Sequence, residues 1–428
     1  MKKLCVLGLG YIGLPTAAMF ATHGVKVHGV DINDKVIEIL NNGDIHIEEP
    51  GLKTLVKAAI KSENLCVNCQ PEPADAFIIA VPTPFKNDEY GEYEGKRYKM
   101  ADMDAVTSAA EAIVPHLRAG NLVILESTSP PRTTIELVAP ILEKSGLKAG
   151  EDFYLAYSPE RVLPGQILRE LIENDRVIGG INAVSAQKGK ELYSIFVKGE
   201  IVLTDSTTAE MVKLMENTYR DVNIAIANEF SRLADRFGVD VWEAISIANR
   251  HPRVDILKPG PGVGGHCISV DPWFLVEKAP DISQLIYKAR KINDDQPNYI
   301  VQKITEALDG SLQNKNIAVL GLAYKPDVDD FRESPSIVIV KKLVQENANV
   351  YTYDPYKPDY NVGGSINCHF LDDAIRDCEL IVVTVAHTPF KDLLSNGVLG
   401  KTKAKVLLDT VNIYSSSKKN DLEIISLS

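Results

Sequence analysis

Short apolar runs alternate along the first half of the chain with segments whose apolar residues recur at helical spacing. LCVLGLGYIG reads as a strand entering a glycine turn, PTAAMFATHG as the helix after it, and VKVHGVDIN as the next strand. AFIIAVPTP, NLVILESTS and DFYLAYSPE read as further strands, each ending in small, polar or proline residues. The run LCVNC also fits a short strand. Such alternation predicts an α/β chain with a doubly wound parallel sheet, whose ligands gather at the carboxyl ends of the strands. Near Thr207 the pattern changes. From there to about Asn249 strand runs stop, and Met211, Leu214, Met215, Val222, Ile226, Phe230 and Leu233 recur on a helical period. A long helix is expected, linking two sheet domains and offering a surface for a second copy. Another helical stretch covers roughly 283–308.

At Asn316 the opening pattern returns. KNIAVLGLAYKPDV echoes KKLCVLGLGYIGLP, and NVYTYDP echoes KVHGVDI. The fold class expected is therefore α/β, with two Rossmann-like parallel-sheet domains joined by a long central helix. The domains are expected at 1–200, 201–308 and 309–428. In the first copy, Gly8, Gly10 and Gly13 form GxGxxG between a strand and a helix, and Asp31 ends the next strand. That context suits a dinucleotide, with pyrophosphate at the helix start and a carboxylate on the ribose 2′-hydroxyl. A carboxylate there repels a 2′-phosphate, so NAD is favoured over NADP. Val81, Thr83 and Thr128, at strand ends, are expected to line the same crevice. In the second copy Ala323 replaces the middle glycine and Lys325 follows, so pyrophosphate fits less well while Lys325 can hold another phosphate. The polar segment FKNDEYGEYEGKRYKMADM is long enough for a mobile loop beside the first crevice, as a lid or as disordered chain.

The chain has 428 residues, more than one core accommodates, with 45% hydrophobic and 24% charged residues. Its net charge of −12 argues against a nucleic-acid partner, so an anionic substrate must be gripped by a local lysine and arginine cluster. The start MKKLCVLGLGYIG lacks a cleavage site, and no apolar run is long enough to cross a bilayer. A cytoplasmic protein with no membrane partner is expected. Six cysteines (Cys5, Cys66, Cys69, Cys267, Cys368, Cys378) without framework spacing fit a reducing compartment. Cys66 and Cys69 form a CxxC with no second CxxC or HxxxH near it, so no metal site is expected.

GPGVGGHCISVDPW places Cys267 among glycines four residues before Asp271. Two readings of it stand: a glycine-rich surface loop with an inert thiol, or a nucleophile that captures an aldehyde and lets a second oxidation give a thioester. The glycines permit positive φ and close approach of backbone amides to a ligand, and Asp271 can orient a water or take a proton. Lys213 and Asn217 share a helical face one turn apart, with Arg220 and Asn228 on related faces. That polar row reads either as an exposed face or as a site in which Lys213 stabilises a developing alkoxide. Glu160 in YSPERVLPG is either a water-orienting carboxylate or an ordinary loop acid.

VLGLGYIG, STSPPRT, SPERVLPG, AEMVKLMENTYRDVNIAIANE, GPGVGGHCISVDPW and GLAYKPDVDDFRESP, in this order and over nearly the whole chain, resemble the UDP-sugar 6-dehydrogenases, the UDP-glucose/GDP-mannose dehydrogenase-like enzymes. The resemblance implies NAD-dependent, four-electron oxidation of a C6 alcohol to a carboxylate. SPERVLPG, ANRHPRV and HCISVDPWF are most similar to the branch acting on UDP-N-acetyl-D-mannosamine, while Ile268 and Val270 depart from the pattern of glucose enzymes. It further implies that Cys267 is the nucleophile, with Lys213, Asn217 and Asp271 around it and Glu160 and Thr128 handling water. Cofactor contacts are implied for Gly8, Gly10, Tyr11, Ile12, Gly13, Asp31, Lys35, Thr83, Thr128 and Arg332. Substrate contacts are implied for Glu160, Arg161, Val162, Lys213, Asn217, Arg253, Gly264 and Lys325. Family members pair through the central helix, so a homodimer or dimer-based oligomer is implied. UDP-N-acetylglucosamine or UDP-glucose are the alternative substrates. A two-electron hydroxyacid dehydrogenase and a non-catalytic nucleotide-sugar-binding module are the alternative functions.

Overall fold

A computed structural model of the protein describes residues 2–265, 267–394, 398–414, 418–419 and 422–427. The chain divides into two compact units, Met1–Glu216 with Phe274–Asp281, and Asn217–Trp273 with Ile282–Ser428.

In the first unit the strands are β1 (Lys3–Leu7), β2 (Lys26–Val30), β3 (Leu65–Asn68), β4 (Ala76–Ile79), β5 (Phe85–Tyr93), β6 (Lys96–Ala101), β7 (Leu122–Leu125), β8 (Tyr154–Tyr157), β9 (Arg176–Gly180) and β10 (Ile201–Asp205). Eight of them form one sheet in the order β10-β9-β8-β7-β4-β1-β2-β3. Helices α1 (Gly13–Thr22), α2 (Asp34–Asn41), α3 (Leu52–Lys61), α4 (Asp104–Ile113), α5 (Ala139–Leu142), α6 (Ile167–Glu173) and α7 (Ala183–Tyr193) connect them. Side chains alternate across each strand, so the two faces of β1 feed two cores. Leu4 and Val6 pack with Phe20 of α1, Val56 of α3 and Leu192 of α7. Cys5 and Leu7 pack with Val106 and Ile113 of α4 and Leu142 of α5. The β1 run is therefore apolar throughout, as a strand covered on both faces must be.

Two features depart from the expected parallel sheet and its loop. β9 runs antiparallel to β8, because the chain turns back at the carboxyl edge instead of crossing the sheet. The polar segment after VPTP is neither a disordered loop nor a coil: β5 and β6 form an antiparallel hairpin. Cross-strand pairing supplies the order that composition does not. Gly91 lies opposite Tyr98, whose ring fills the space above it, and the Arg97 guanidinium lies 4.3 Å from the Tyr90 ring centre. The hairpin is tied down where the Ala101 amide donates to Glu277, 2.8 Å, and Phe85 meets Phe274 edge-on.

The long helix is α8 (Ser206–Phe237), followed after Gly238 by α9 (Val241–Ala248). α10 (Asp271–Lys278) and α11 (Gln284–Ala307) come next. The second unit then adds β11 (Asn316–Leu320), α12 (Pro335–Gln345), β12 (Asn349–Tyr353), β13 (Ile366–Asn367), α13 (Leu371–Ile375), β14 (Leu380–Val383), β15 (Val406–Asp409), β16 (Lys418–Lys419) and β17 (Leu422–Ser426). These strands form one sheet ordered β13-β12-β11-β14-β15-β17-β16, parallel except at the β16–β17 edge pair. Among the described residues, no helix is long and apolar enough to cross a membrane.

α8 inverts the usual polarity of a surface helix. Its polar Lys213, Asn217, Asp221, Asn228 and Ser231 are buried, while Tyr219, Ile226, Phe230, Leu233 and Phe237 are exposed. Of the polar row, Lys213, Asn217 and Asn228 thus do not face solvent, whereas Arg220 is exposed. Asp221 takes the buried Arg290 guanidinium, Asn293 donates to Asp221, and Asn228 donates to Asn293, 2.9 Å.

Candidate functional site

In the first unit β1 leads into the glycine turn and α1 begins at Gly13. Gly8 has φ +91°, and a Cβ there would stand 2.5 Å from the Ala80 carbonyl oxygen. A Cβ at Gly13 would stand 1.8 Å from the Gly8 carbonyl oxygen. At Gly10, which is exposed, nothing lies within 4 Å. The outer two glycines are thus required by the protein's own packing, and the middle one leaves room in front of the first amides of α1. Unsatisfied N–H groups and the helix dipole favour phosphate at such a place. Tyr11 and Ile12 are half-buried in the same turn. Asp31, half-exposed, accepts the Leu9 amide on Oδ2, 3.0 Å, and the Asn33 amide on Oδ1, 2.9 Å. A carboxylate has about four acceptor directions, so it retains capacity for ribose hydroxyls. Asn33 caps α2 by accepting the Lys35 amide, 3.1 Å, and Lys35 itself is exposed. Next to Asp31, Ile32 is 94% exposed. An apolar side chain presented to solvent beside a carboxylate with acceptor capacity to spare suits the face of a base. The sequence pattern hides it, because Ile32 reads as the end of a strand.

The carboxyl edge of the same sheet is closely tied. Thr83 Oγ1 donates to the Thr128 carbonyl, 2.7 Å, and Ser127 Oγ donates to the Val81 carbonyl, 2.7 Å. Buried Glu210 of α8 accepts the Thr134 amide, 2.8 Å, and the Thr134 hydroxyl, 2.6 Å, holding the segment after Thr128. Burial pushes the Glu210 carboxyl up. In SPERVLPG, Glu160 accepts the Arg161 amide, 2.7 Å, and pairs with Arg176. Arg161 pairs with Glu216, 2.8 Å, and Val162 packs against the core of the α1 face. Glu49 accepts the Gly165 and Ile167 amides, 2.7 and 2.8 Å. Glu160 is therefore not a loose loop acid. Lys213 is buried, and among the described residues its ammonium has no hydrogen bond or ion pair.

The second unit holds Asn217, Cys267, Asp271, Arg253, Gly264, Lys325 and Arg332. Buried Asn217 donates through Nδ2 to buried Asp271, and accepts from Arg220 on Oδ1. The Cys267 carbonyl accepts the Val270 and Asp271 amides, 3.0 and 2.9 Å, so the cysteine opens the turn that leads into α10. Cys267 is half-buried, whereas Cys5 and Cys378 are deeply buried with thiols pushed up to about 12 by burial. His266 of the same motif lies outside the described residues. The glycines before the cysteine serve packing. A Cβ at Gly264 would meet the Glu333 carbonyl oxygen and Tyr324 Cβ at 2.8 Å, and one at Gly265 would meet the Tyr324 ring at 2.8 Å. The Gly265 amide donates to the Arg332 carbonyl, 3.1 Å. Two motifs distant in sequence are thereby brought together. Lys325 is exposed, and Arg332 pairs with Asp330, 2.6 Å. Arg253, Arg250 and His251 are all exposed, and nothing in the unit singles out Arg253 among them.

The second glycine turn is filled. Gly321 keeps φ +93°, but Ala323 is buried and Pro326 stands where the third glycine would be. Asp354, the first residue after β12, accepts the Leu322 amide, 2.7 Å, the Ala323 amide, 3.2 Å, the Tyr356 amide, 3.0 Å, and the Nε2–H of buried His387, 3.1 Å. His387 Nδ1 in turn accepts the Asp327 amide, 2.9 Å.

Comparison with known proteins gives this geometry its context. Residues 2–197 match the NAD binding domain of the UDP-glucose/GDP-mannose dehydrogenase family, 207–295 its central domain and 318–416 its UDP binding domain. A UDP-N-acetyl-D-mannosamine dehydrogenase of Methanococcus maripaludis is 50% identical over 417 residues, 96% of this chain and 93% of the relative. The solved UDP-N-acetyl-mannosamine dehydrogenase of S. aureus is similar with TM-score 0.89 and 45% identity, covering 100% of this chain and 98% of that one. The UDP-D-ManNAc dehydrogenase structure from Pyrococcus horikoshii gives TM-score 0.90 and 40% identity, covering 99% of both chains. An open glycine turn with a ribose-ready carboxylate in one unit, and a filled one in the other, fits this division into NAD and UDP domains. The chain belongs to the UDP-glucose/GDP-mannose dehydrogenase family and is an NAD-dependent oxidoreductase acting on a CH–OH group.

Proposed function

We propose that the protein oxidises UDP-N-acetyl-D-mannosamine at C6 to UDP-N-acetyl-D-mannosaminuronate, using two NAD and one water and giving two NADH. The observation that carries this reading is the buried Asn217–Asp271 hydrogen bond set one turn from half-buried Cys267. It is joined by the identity to dehydrogenases named for that substrate. NAD, when bound at the first glycine turn, would supply the hydride acceptor for each of the two oxidations at C6. Lys213, buried and without a protein partner among the described residues, stabilises negative charge on the C6 oxygen. Asp271, or a water it holds, accepts the hydroxyl proton. Cys267 Sγ bonds to C6 of the aldehyde, so the hemithioacetal stays on the protein until the second oxidation gives a thioester. An ordinary thiol, with pKa about 8.5, is mostly protonated at neutral pH, so Lys213 and the amides around Cys267 are expected to favour the thiolate. Water oriented by Glu160 and Thr128 then attacks, the C–S bond breaks and the thiolate leaves.

In this reading Gly8, Gly10, Tyr11, Ile12, Gly13, Asp31, Lys35, Thr83 and Arg332 contact the cofactor, with Ile32 added against the adenine. Arg161, Val162, Asn217, Arg253, Gly264 and Lys325 contact the nucleotide-sugar. Residues 201–308 form the dimerisation domain. The exposed Tyr219, Ile226, Phe230 and Leu233 of α8 supply the apolar ridge that a second copy covers. The protein works in the cytoplasm.

The test is to supply UDP-N-acetyl-D-mannosamine, UDP-N-acetylglucosamine and UDP-glucose separately and count NADH per sugar consumed. Two NADH and a uronate from the first are expected, with no uronate from Cys267→Ala. A product that stops at the aldehyde, or steady uronate formation by Cys267→Ala, overturns the mechanism.

A further inference from the structure

Nothing in the sequence pattern marks Arg176. It opens β9, and the antiparallel register, Ala156 against Gly180 and Tyr157 against Gly179, carries it to a place opposite Glu160 beyond the end of β8. Its guanidinium is buried, 4% exposed, and forks between groups that follow β7 and β8. One nitrogen pairs with Glu160 Oε2, and the other meets Ser158 Oγ at 3.0 Å and Glu126 Oε1 at 3.2 Å. The Tyr193 ring of α7 lies 4.0 Å from the guanidinium carbon, and its hydroxyl donates to Glu126 Oε1, 2.8 Å. Arg161, Glu170 and Asp175 from the β8–β9 connection border the same place.

The geometry points to Arg176 as a positioning residue that fixes the Glu160 carboxylate at the carboxyl edge of the sheet. The inference rests on the reading of Glu160 as the carboxylate that orients the hydrolytic water. A planar fork suits this task, because it sets the angle of the carboxylate as well as its distance. The second Glu160 oxygen takes the Arg161 amide, so neither end of the carboxylate swings. Glu126 competes weakly for the cation. It is wholly buried, its Oε2 has no partner among the described residues, and burial pushes its carboxyl up to about 7. Burial thus disfavours its ionised form, and the charge of Arg176 falls more to Glu160. A reaction paused at the thioester is what a misdirected Glu160 predicts, since the two oxidations do not need it.

The experiment compares Arg176→Lys, Arg176→Met and Glu160→Gln of the full-length enzyme by stopped-flow NADH formation and intact-protein mass. Arg176→Lys is expected to keep the nucleotide-sugar KM within about threefold while kcat falls about 100-fold, the size of effect a misplacement near 1 Å produces. Its trace should show a fast burst followed by a slow phase, with the nucleotide-sugar adduct on Cys267, and Glu160→Gln should do the same. A purely structural Arg176 would lower the active fraction without a burst or an adduct. Single-phase turnover by Arg176→Lys while Glu160→Gln bursts overturns the inference and leaves the role of Glu160 standing. Normal turnover by Glu160→Gln instead removes the reading of Glu160 itself. If the single Arg176 variants do not fold, Glu126→Gln/Arg176→Met, which deletes a buried carboxylate with the cation, is read in the same way. Glu126→Gln alone retains the Arg176–Glu160 pair and is expected to show no burst; a burst there also overturns the inference.

Discussion

The two glycine turns sit on the same strand–turn–helix–strand frame and do opposite things with it. In the first unit the middle glycine faces open space, α1 begins within the turn, and Asp31 spends only two acceptor directions on backbone amides. In the second unit a methyl group fills the middle position, Pro326 stands at the third, and the next helix waits until Pro335. There Asp354 is buried under three amides and an imidazole. The lesson is that sheet topology does not choose a dinucleotide or a mononucleotide. The choice lies in whether the carboxylate after the second strand is left for ligand or consumed by the loop.

The strongest way to break this comparison is Gly13→Ala. Its methyl group would stand 1.8 Å from a backbone oxygen that cannot swing aside, so NAD binding should weaken at least about 100-fold or the unit should not fold. Pro326→Gly at the matching position should leave NAD affinity as it was, and calorimetric titration separates the two. Asp354→Asn should come next. The amide nitrogen cannot accept, so buried donors lose partners at a cost of about 3 kcal/mol, seen as a lower melting temperature with NAD affinity unchanged. Asp31→Asn should do the reverse, weakening NAD about tenfold with little change in melting. If the two asparagine variants exchange phenotypes, the division of labour argued here is wrong.

Buried carboxylates sharpen the comparison through pH. Burial acts on Asp354 in the upward direction, but the His387 and Leu322 hydrogen bonds carry its pKa below 3.8. Its contribution is present above pH 3.8 and is lost as pH falls through the lowered folded value. Burial raises Glu126 from 4.5 to about 7, so its contribution is present below pH 4.5 and is lost as pH rises through about 7. Melting curves should therefore show Glu126→Gln flattening the decline between pH 4.5 and about 7, and Asp354→Asn flattening the acid limb. The smallest effect expected is Ala323→Gly, less than about 1 kcal/mol and no gain of NAD binding in the second unit, since Asp354 remains occupied.

Much of the frame was legible in the sequence because buried parallel strands write themselves as apolar runs: β1, β2, β4, β7, β8 and β11 all do, whereas β12, NVYTY, alternates buried with more exposed positions. β10 carries the apolar run IVL too, yet its Val202 and Leu203 are exposed at the sheet edge, so the run alone does not report burial. The hairpin was hidden by its charges, because Gly91 and Tyr98 signal pairing only once they are opposed. For α8 the apolar period was visible and its direction was not. Burial of Asp221 depends on Arg290, a distant residue that no local pattern connects to it. Among candidate site residues, the first glycine turn and Asp31 announced themselves by spacing. Arg176 did not, since its place beside Glu160 follows from strand register, and Ile32 was lost at the end of an apolar run.

The closed turn of the second unit also limits where this sequence can wander. Three obstacles guard it: a methyl at 323, a ring at 326 and a carboxylate at 354 with its acceptors engaged. Lifting any one exposes unpaired polar groups or a slackened loop before a new ligand can compensate. Reopening the turn therefore demands several coordinated changes, and a single substitution there cannot convert one half into the other.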